Sequence, residues 1–239
     1  MKPLLGKTAL ITGAGGGIGR TLAIQLAEAG ANLALAGRDE KKLSESCALA
    51  RTAGVEALML PGDLTAPGHP AECVRRAVKG FGRLDILINN AGVVLSKPFE
   101  AVTPEEYDDV MAVNARAPFF LCQAALPYLR ETKGAILNIG SVVSHKGYPM
   151  QSVYGASKHA LLGFTKALAS EVRKDGIRVH MLSPGTVSTG MAGAVRPDLD
   201  GDDLIQPEEL AEVALFLLTR KSAVIDEIQA HRPGKEPFA

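Results

Sequence analysis

Tyr154 and Lys158 stand four residues apart at the head of SVYGASKHALLGFTKALASEV, whose apolar periodicity predicts a helix over about 154–174. One helical turn separates them, so both side chains lie on one face, within reach of a common ligand. A free tyrosine, with a pKa of about 10, is a sluggish acid or base at neutral pH, and a nearby ammonium lowers that value. The pair has the makings of proton chemistry, and it equally fits two residues on a solvated helix face. Ser141, thirteen residues before Tyr154, follows an apolar run, and Asn114 lies inside a second helical pattern. A serine after a strand often caps a helix, and an asparagine within a helix is often a surface residue.

The elements that carry these four residues decide between the alternatives. Short apolar runs, TALIT (8–12), LALA (33–36), ALML (57–60), DILIN (85–89), AILNI (135–139), RVHML (178–182) and AVIDEIQ (223–229), read as strands. Helical periodicity fills 18–29, 40–53, 70–80, 104–131, 154–174 and 207–219. Strands that are continuously apolar belong to a sheet covered on both faces. The alternation therefore predicts an α/β fold: a doubly wound, parallel, seven-stranded sheet in three layers, forming a single domain over 1–239. No linker, repeat or low-complexity segment interrupts it. The longest irregular stretch, 183–206, follows the sixth strand, and 188–206 is expected to be a short mobile substrate loop. Ligands of such sheets sit beyond the carboxyl ends of the strands, which is where Ser141 and the first turn of the 154–174 helix fall.

The first strand runs into TGAGGGIG, with Gly13, Gly17 and Gly19 spaced GxxxGxG ahead of a helix. Without side chains the backbone approaches a pyrophosphate closely, and the positive end of the helix favours its charge. The flanking strand and helix make this a dinucleotide site rather than a mere tight turn. At the tip of the second strand an acidic residue would bond the adenosine ribose 2′-hydroxyl, but the chain reads LALAGRDE. Arg38 there can pair with a 2′-phosphate, which favours NADP(H) over NAD(H), or it can be a solvated arginine beside Asp39 as N-cap. Asp63, in GDLTAP after the third strand, either caps the next helix or contacts the adenine.

Six motifs in register, TGAGGGIG (12–19), NNAG (89–92), Asn114 in VNA, Ser141 in IGS, YGASK (154–158) and PG (184–185), make the chain resemble the short-chain dehydrogenase/reductase family over nearly its full length. In broad outline it is similar to 3-oxoacyl-[acyl-carrier-protein] reductases. The resemblance implies a Rossmann-like fold and hydride transfer between a nicotinamide and a carbonyl/alcohol pair. It assigns Tyr154 as proton donor to the substrate oxygen, Ser141 as the group that polarises that oxygen, Lys158 as the ribose ligand that lowers the tyrosine pKa, and Asn114 as support for a relay water. It also implies cofactor contacts from Gly13, Gly15, Gly17, Ile18, Gly19, Arg38, Asp63, Leu64, Asn90, Ala91 and Gly92. Pro184, Gly185, Val187 and Thr189 would hold the nicotinamide amide, with Asn89 structural. Between the serine and the tyrosine, Val143, His145, Tyr148, Met150 and Gln151 are expected to line the substrate pocket. His145, with no carboxylate partner visible in sequence, reads as a substrate or surface group rather than a base.

The chain also departs from the family's pattern. Gly16 stands where NADP-preferring members often carry a basic residue, leaving Arg38 to support that preference. The segment after Thr189 is short and small-residued, which suits a bulky substrate or a poorly discriminating pocket. The ending IDEIQAHRPGKEPFA replaces the family's Val-Asp-Gly-Gly, which puts membership in the carrier-protein reductase group and the usual assembly geometry in doubt.

Composition bounds the partners. With 46% hydrophobic and 22% charged residues over 239, the chain buries a full core, and 26 basic residues against 26 acidic ones point away from nucleic acid and anionic membranes. No apolar run has the length of a signal or a membrane span, so a cytoplasmic location is expected. Cys47, Cys73 and Cys122 are unpaired in pattern, and the five histidines show no metal-ligand spacing, so no metal is expected. Apolar residues spread around more than one face of 104–131 and 154–174, which predicts a homodimer or homotetramer through these helices. The competing readings are an NAD-dependent alcohol dehydrogenase of the same family, a dinucleotide sensor without turnover and an S-adenosylmethionine methyltransferase. The intact Ser141, Tyr154 and Lys158 weigh against the sensor, and Arg38 in place of an acid weighs against the methyltransferase.

Overall fold

Alternate residues of the apolar runs pack on opposite faces of one sheet, as the two-residue period of a strand requires. In β1 (Thr8–Thr12) and β2 (Asn32–Gly37), Ala9, Ile11, Leu33 and Leu35 enter one core, while Leu10, Ala34 and Ala36 enter the other. Helices α1 (Gly17–Glu28), α2 (Glu40–Arg51) and α8 (Pro207–Thr219) cover the first core. Helices α3 (His69–Phe81), α5 (Ala117–Thr132) and α6 (Ser152–Val172) cover the second. The computed structural model describes residues 2–195, 203–220 and 222–234. Among these, seven parallel strands lie in the order β3-β2-β1-β4-β5-β6-β7, completed by β3 (Ala57–Pro61), β4 (Ile86–Asn89), β5 (Ala135–Ile139), β6 (Arg178–Pro184) and β7 (Glu227–Ala230). The winding reverses between β1 and β4, which pair Ile11 with Ile88, and this reversal opens a crevice at the carboxyl edge. No described helix is long and apolar enough to cross a membrane.

Three expectations need correction. The predicted 104–131 helix is two helices, α4 (Pro104–Met111) and α5, joined by a π turn over Ala112–Arg116. A π turn adds one residue to the helical register without interrupting its apolar pattern, so periodicity does not reveal it. The last strand begins at Glu227, not 223, because the Ile225 carbonyl is taken by the His180 imidazole, Nδ1 at 2.7 Å, before the backbone ladder starts. The stretch 183–206 is not simply a loop. Its first two residues complete β6, Gly190–Val195 forms a short helix α7, and Val187 bridges Ile205 in parallel. Residues 196–202 of the expected substrate loop lie outside the described residues.

A chain of buried amides fixes α6 against the sheet. Asn89 Nδ2 donates to Asn138 Oδ1 at 2.8 Å, Asn138 Nδ2 to Thr165 Oγ1 at 2.8 Å, and Thr165 Oγ1 to the Leu161 carbonyl at 2.6 Å. β4, β5 and α6 are thereby locked in register by groups whose desolvation is tolerable only while they are paired. The three cysteines are all buried. Burial pushes the Cys73 thiol up to about 11 and the Cys122 thiol up to about 12, and raises Cys47 as well.

Candidate active site

The carboxyl edge of the sheet holds one cavity of about 420 Å³. It runs from Gly13, Gly16, Gly17 and Ile18 beyond β1, past Asn90, Ala91 and Gly92 beyond β4, to Ser141 beyond β5. It continues along Pro184–Thr189 beyond β6 to His231 and Arg232 beyond β7, with Tyr154 and Lys158 of α6 in its wall. Ser141, Tyr154 and Lys158 are thus brought together from two elements joined by the buried amide chain.

Lys158 is 4% exposed and donates from Nζ to the Ile139 carbonyl at 2.8 Å, which leaves two N–H donors. Burial lowers its pKa to about 8. Its Nζ lies 5.9 Å from the centre of the Tyr154 ring. Burial raises the Tyr154 phenol, and a hydrogen bond with the Ser141 side chain pulls it part of the way back. Desolvation, rather than the expected lowering by the ammonium, sets the direction here, and the phenol keeps its proton at neutral pH. Ser141 is held by its own turn, its N–H donating to Ser144 Oγ at 3.2 Å while its Oγ accepts from Val143 N at 3.3 Å. Asn114 sits in the π turn, 1% exposed and one layer behind the cavity. Its Nδ2 donates to the Val93 carbonyl at 2.8 Å and to Ser157 Oγ at 3.0 Å, and its Oδ1 accepts from Val93 N at 2.9 Å. It pins the segment after β4, and a side chain at Gly92 would approach Asn114 Oδ1 to 3.4 Å and Lys158 Nζ to 3.7 Å.

The glycine loop fits a pyrophosphate. A Cβ at Gly19 would lie 2.3 Å from the Gly13 carbonyl oxygen, and one at Gly13 2.8 Å from Ala91 Cα, so the loop closes only with glycine. Gly16, the N-cap of α1, offers no side-chain cap, its Cβ position is open, and the first turn carries no acid. The helix-end N–H groups therefore face the cavity uncompensated. Asn90 braces this loop, its Nδ2 donating to the Thr12 carbonyl at 3.0 Å and to that of Gly13 at 3.3 Å. Thr189 reaches across from beyond β6, 3.1 Å from where a Gly17 side chain would begin.

Several site expectations move. Gly15 and Gly19 do not line the cavity, and Gly15 packs on Lys42 instead. Arg38 is exposed and makes no hydrogen bond or ion pair among the described residues. Asp63 feels the Arg38 charge, but its carboxylate accepts from Thr65 N and Oγ1, both at 2.8 Å, which holds it below the usual carboxylate range. It caps that turn and not helix α3, whose N-cap is Gly68. Leu64 is buried in the core. Val143, Tyr148 and Gln151 line the cavity as expected, whereas Met150 does not: it is half-exposed in the left-handed region, with φ of 66°. His145 also lies outside the lining, and it does have a carboxylate partner. Its Nε2 lies 2.5 Å from Glu227 Oε1, which also accepts from Ser183 Oγ at 2.9 Å.

Sequence reasoning missed Gly16, Val94, Thr186, Met191, His231 and Arg232, all of which line the cavity. It also missed Arg20, whose Nη2 donates to the Gly15 carbonyl at 2.8 Å and holds the loop against α2. For Arg20 the signal was a long cation directly after the last glycine. For His231 and Arg232 it was the unusual ending of the chain.

Residues 7–200 match the short chain dehydrogenase family. An uncharacterized oxidoreductase of Thermotoga maritima is 38% identical over 203 residues, 84% of this chain and 80% of that one. A metagenomic short-chain oxidoreductase solved with NADP is 31% identical, with a TM-score of 0.85 over 98% of this chain and 100% of its own. An alcohol dehydrogenase of Thermococcus sibiricus complexed with 5-hydroxy-NADP is 28% identical, with a TM-score of 0.91 over 98% and 99%.

Proposed function

The chain belongs to the short-chain dehydrogenase family and is an oxidoreductase, and from that premise we propose that it interconverts a carbonyl and an alcohol with NADP(H). The observation that carries the reading is the single cavity joining an uncapped glycine loop to Ser141, Tyr154 and Lys158. When bound, the nicotinamide supplies the hydride for reduction, so that hydride and one proton together turn the carbonyl into an alcohol while the dinucleotide is oxidised.

Tyr154 gives its phenolic proton to the substrate oxygen in reduction and takes it back in oxidation. Ser141 donates a hydrogen bond to that oxygen, stabilising the charge that develops on it. Lys158 turns its two remaining N–H donors to the ribose hydroxyls and stabilises the phenolate that Tyr154 becomes. Asn114, with its Nδ2 committed, keeps an Oδ1 lone pair for a water that extends the proton path. Gly13, Gly16, Gly17 and Ile18 hold the pyrophosphate, and Pro184–Thr189 the nicotinamide amide. Val143, Tyr148 and Gln151 shape the substrate side.

Arg38 supports NADP(H) through its unpaired guanidinium, and the two structural relatives that carry NADP-type ligands agree with it. NAD(H) is the alternative. The substrate is a small-molecule carbonyl compound or the corresponding alcohol. A homodimer or homotetramer through α4, α5 and α6 completes the proposal.

A panel of ketones, acyl thioesters, steroids and sugars, assayed with NADPH and NADH, tests the proposal. Tyr154→Phe is expected to lower kcat by about 100-fold or more while the protein still binds dinucleotide. Full activity in that variant refutes the proton role, and a preference for NADH above about tenfold refutes the reading of Arg38.

A further inference from the structure

We propose that Arg232 forms a carboxylate-binding subsite and that the enzyme acts on anionic oxo acids and their hydroxy acids rather than on neutral ketones, an inference that rests on the carbonyl-reduction reading above.

The charges that line the cavity are one-sided. Lys158 and Arg232 are cations, and no Asp or Glu is among the described lining residues. Lys158 has its partners in the Ile139 carbonyl and the cofactor ribose. Arg232 is half-buried and makes no hydrogen bond or ion pair among the described residues. An unpaired guanidinium presents a planar fork of donors that matches a carboxylate in bidentate fashion, and partial exclusion of water strengthens the match.

Its place in the sheet separates it from the cofactor phosphates. The pyrophosphate cradle is beyond β1 and the nicotinamide segment beyond β6. β7 pairs with β6 on the side away from β5, with Ala230 opposite Pro184. Arg232 therefore stands at the β7 side of the cavity, across β4, β5 and β6 from the glycine loop. The family resembled in sequence ends in Val-Asp-Gly-Gly, whereas this chain follows β7 with HRPG, which brings Arg232 to the cavity.

The strand that leads to Arg232 is also tied to the end of the turn that Ser141 opens. Glu227, the first residue of β7, accepts from Ser183 on β6 and pairs with His145, four residues after Ser141. These contacts hold the start of β7 against the segment after Ser141, the kind of support that a site selecting one spacing between carbonyl and carboxylate requires.

Short 2-, 3-, 4- and 5-oxo acids, each beside its methyl ester, form the test with NADPH. Wild-type kcat/KM is expected to favour the best acid over its ester by about tenfold or more. Arg232→Met should raise KM for that acid by about tenfold or more, with ester kinetics and KM for NADPH unchanged within about twofold, and Arg232→Lys should recover part of the loss. Calorimetric binding of the matching saturated carboxylate to the NADP-loaded protein should weaken in parallel in Arg232→Met. Esters reduced as well as acids throughout, or a Met variant that impairs acid, ester and NADPH alike, overturns the subsite and leaves carbonyl reduction standing. A wild-type protein that binds NADPH yet reduces no acid, ester or neutral ketone overturns the reading on which the subsite rests.

Discussion

Lys158 is an ammonium enclosed by protein, with the Ile139 carbonyl as its hydrogen-bond partner. Its pKa falls from 10.5 unfolded to about 8 folded, so at neutral pH the protonated form costs the fold about 3 kcal/mol. Between those two values the unfolded chain binds more protons than the folded one, so this group's penalty is full below about pH 8 and fades as pH rises toward 10.5. Lys158→Met removes the penalty and leaves one carbonyl unpaired, which returns about 1–2 kcal/mol of cost. The variant should be inactive yet melt about 2–6 °C above wild type at pH 7, with the gap shrinking toward pH 10 in thermal scans of both proteins. A variant less stable than wild type at pH 7 would show that the lysine is a net structural asset. Tyr154, Lys158 and Ser141 were legible in the sequence because a four-residue spacing and a strand end are local features. The His145–Glu227 pair was not, since 82 residues separate its members and nothing near either announces the other.

At the scale of elements, the placement of α6 decides whether Tyr154 and Ser141 meet. The amide chain from Asn89 through Asn138 to Thr165 sets that placement from the middle of the helix, three turns from the reacting groups. Thr165→Val keeps the volume and strands the Asn138 Nδ2 donor in the core, at a cost of about 1–3 kcal/mol. A fall in Tm of about 2–10 °C is expected, with kcat reduced more than KM for NADPH, since the glycine loop is braced separately by Asn90 and Arg20. Equal losses in kcat and cofactor binding would mean that the chain supports the whole cavity rather than the helix. All seven strands and most helices were visible from apolar runs, because a sheet covered on both faces writes itself as unbroken hydrophobicity. The π turn at Asn114 and the late start of β7 were hidden, one by a single added residue and the other by a side chain that takes a backbone acceptor.

Across the whole molecule, one surface supports the proposed assembly. Phe119 and Phe120 on α5 are 47% and 45% exposed, and Phe119 meets both Phe120 and Phe164 of α6 edge to face. Of the apolar residues of α6 that suggested this contact in sequence, Leu161 and Leu162 are buried within the chain, while Ala160, Phe164, Leu168 and Ala169 are partly exposed. The most exposed part of the face comes from α5. Light scattering is expected to give a dimer or tetramer at micromolar concentration, and Phe119→Asp with Phe120→Asp should dissociate it without unfolding the sheet. A wild-type monomer would refute the assembly. Strand order across the sheet was legible only as a class, because which parallel strands adjoin is a long-range matter that no local pattern encodes.

The buried cysteines have a practical meaning that reaches beyond packing. A thiol reacts as its thiolate, and Cys73 and Cys122 hold their protons to about pH 11 and 12 inside the core, with Cys47 shifted in the same direction. Thiol-directed reagents therefore find no reactive cysteine on the folded chain. A cysteine engineered at Phe119 becomes the one reactive handle, so a spin label or fluorophore can be set at the proposed subunit contact with every native residue elsewhere retained.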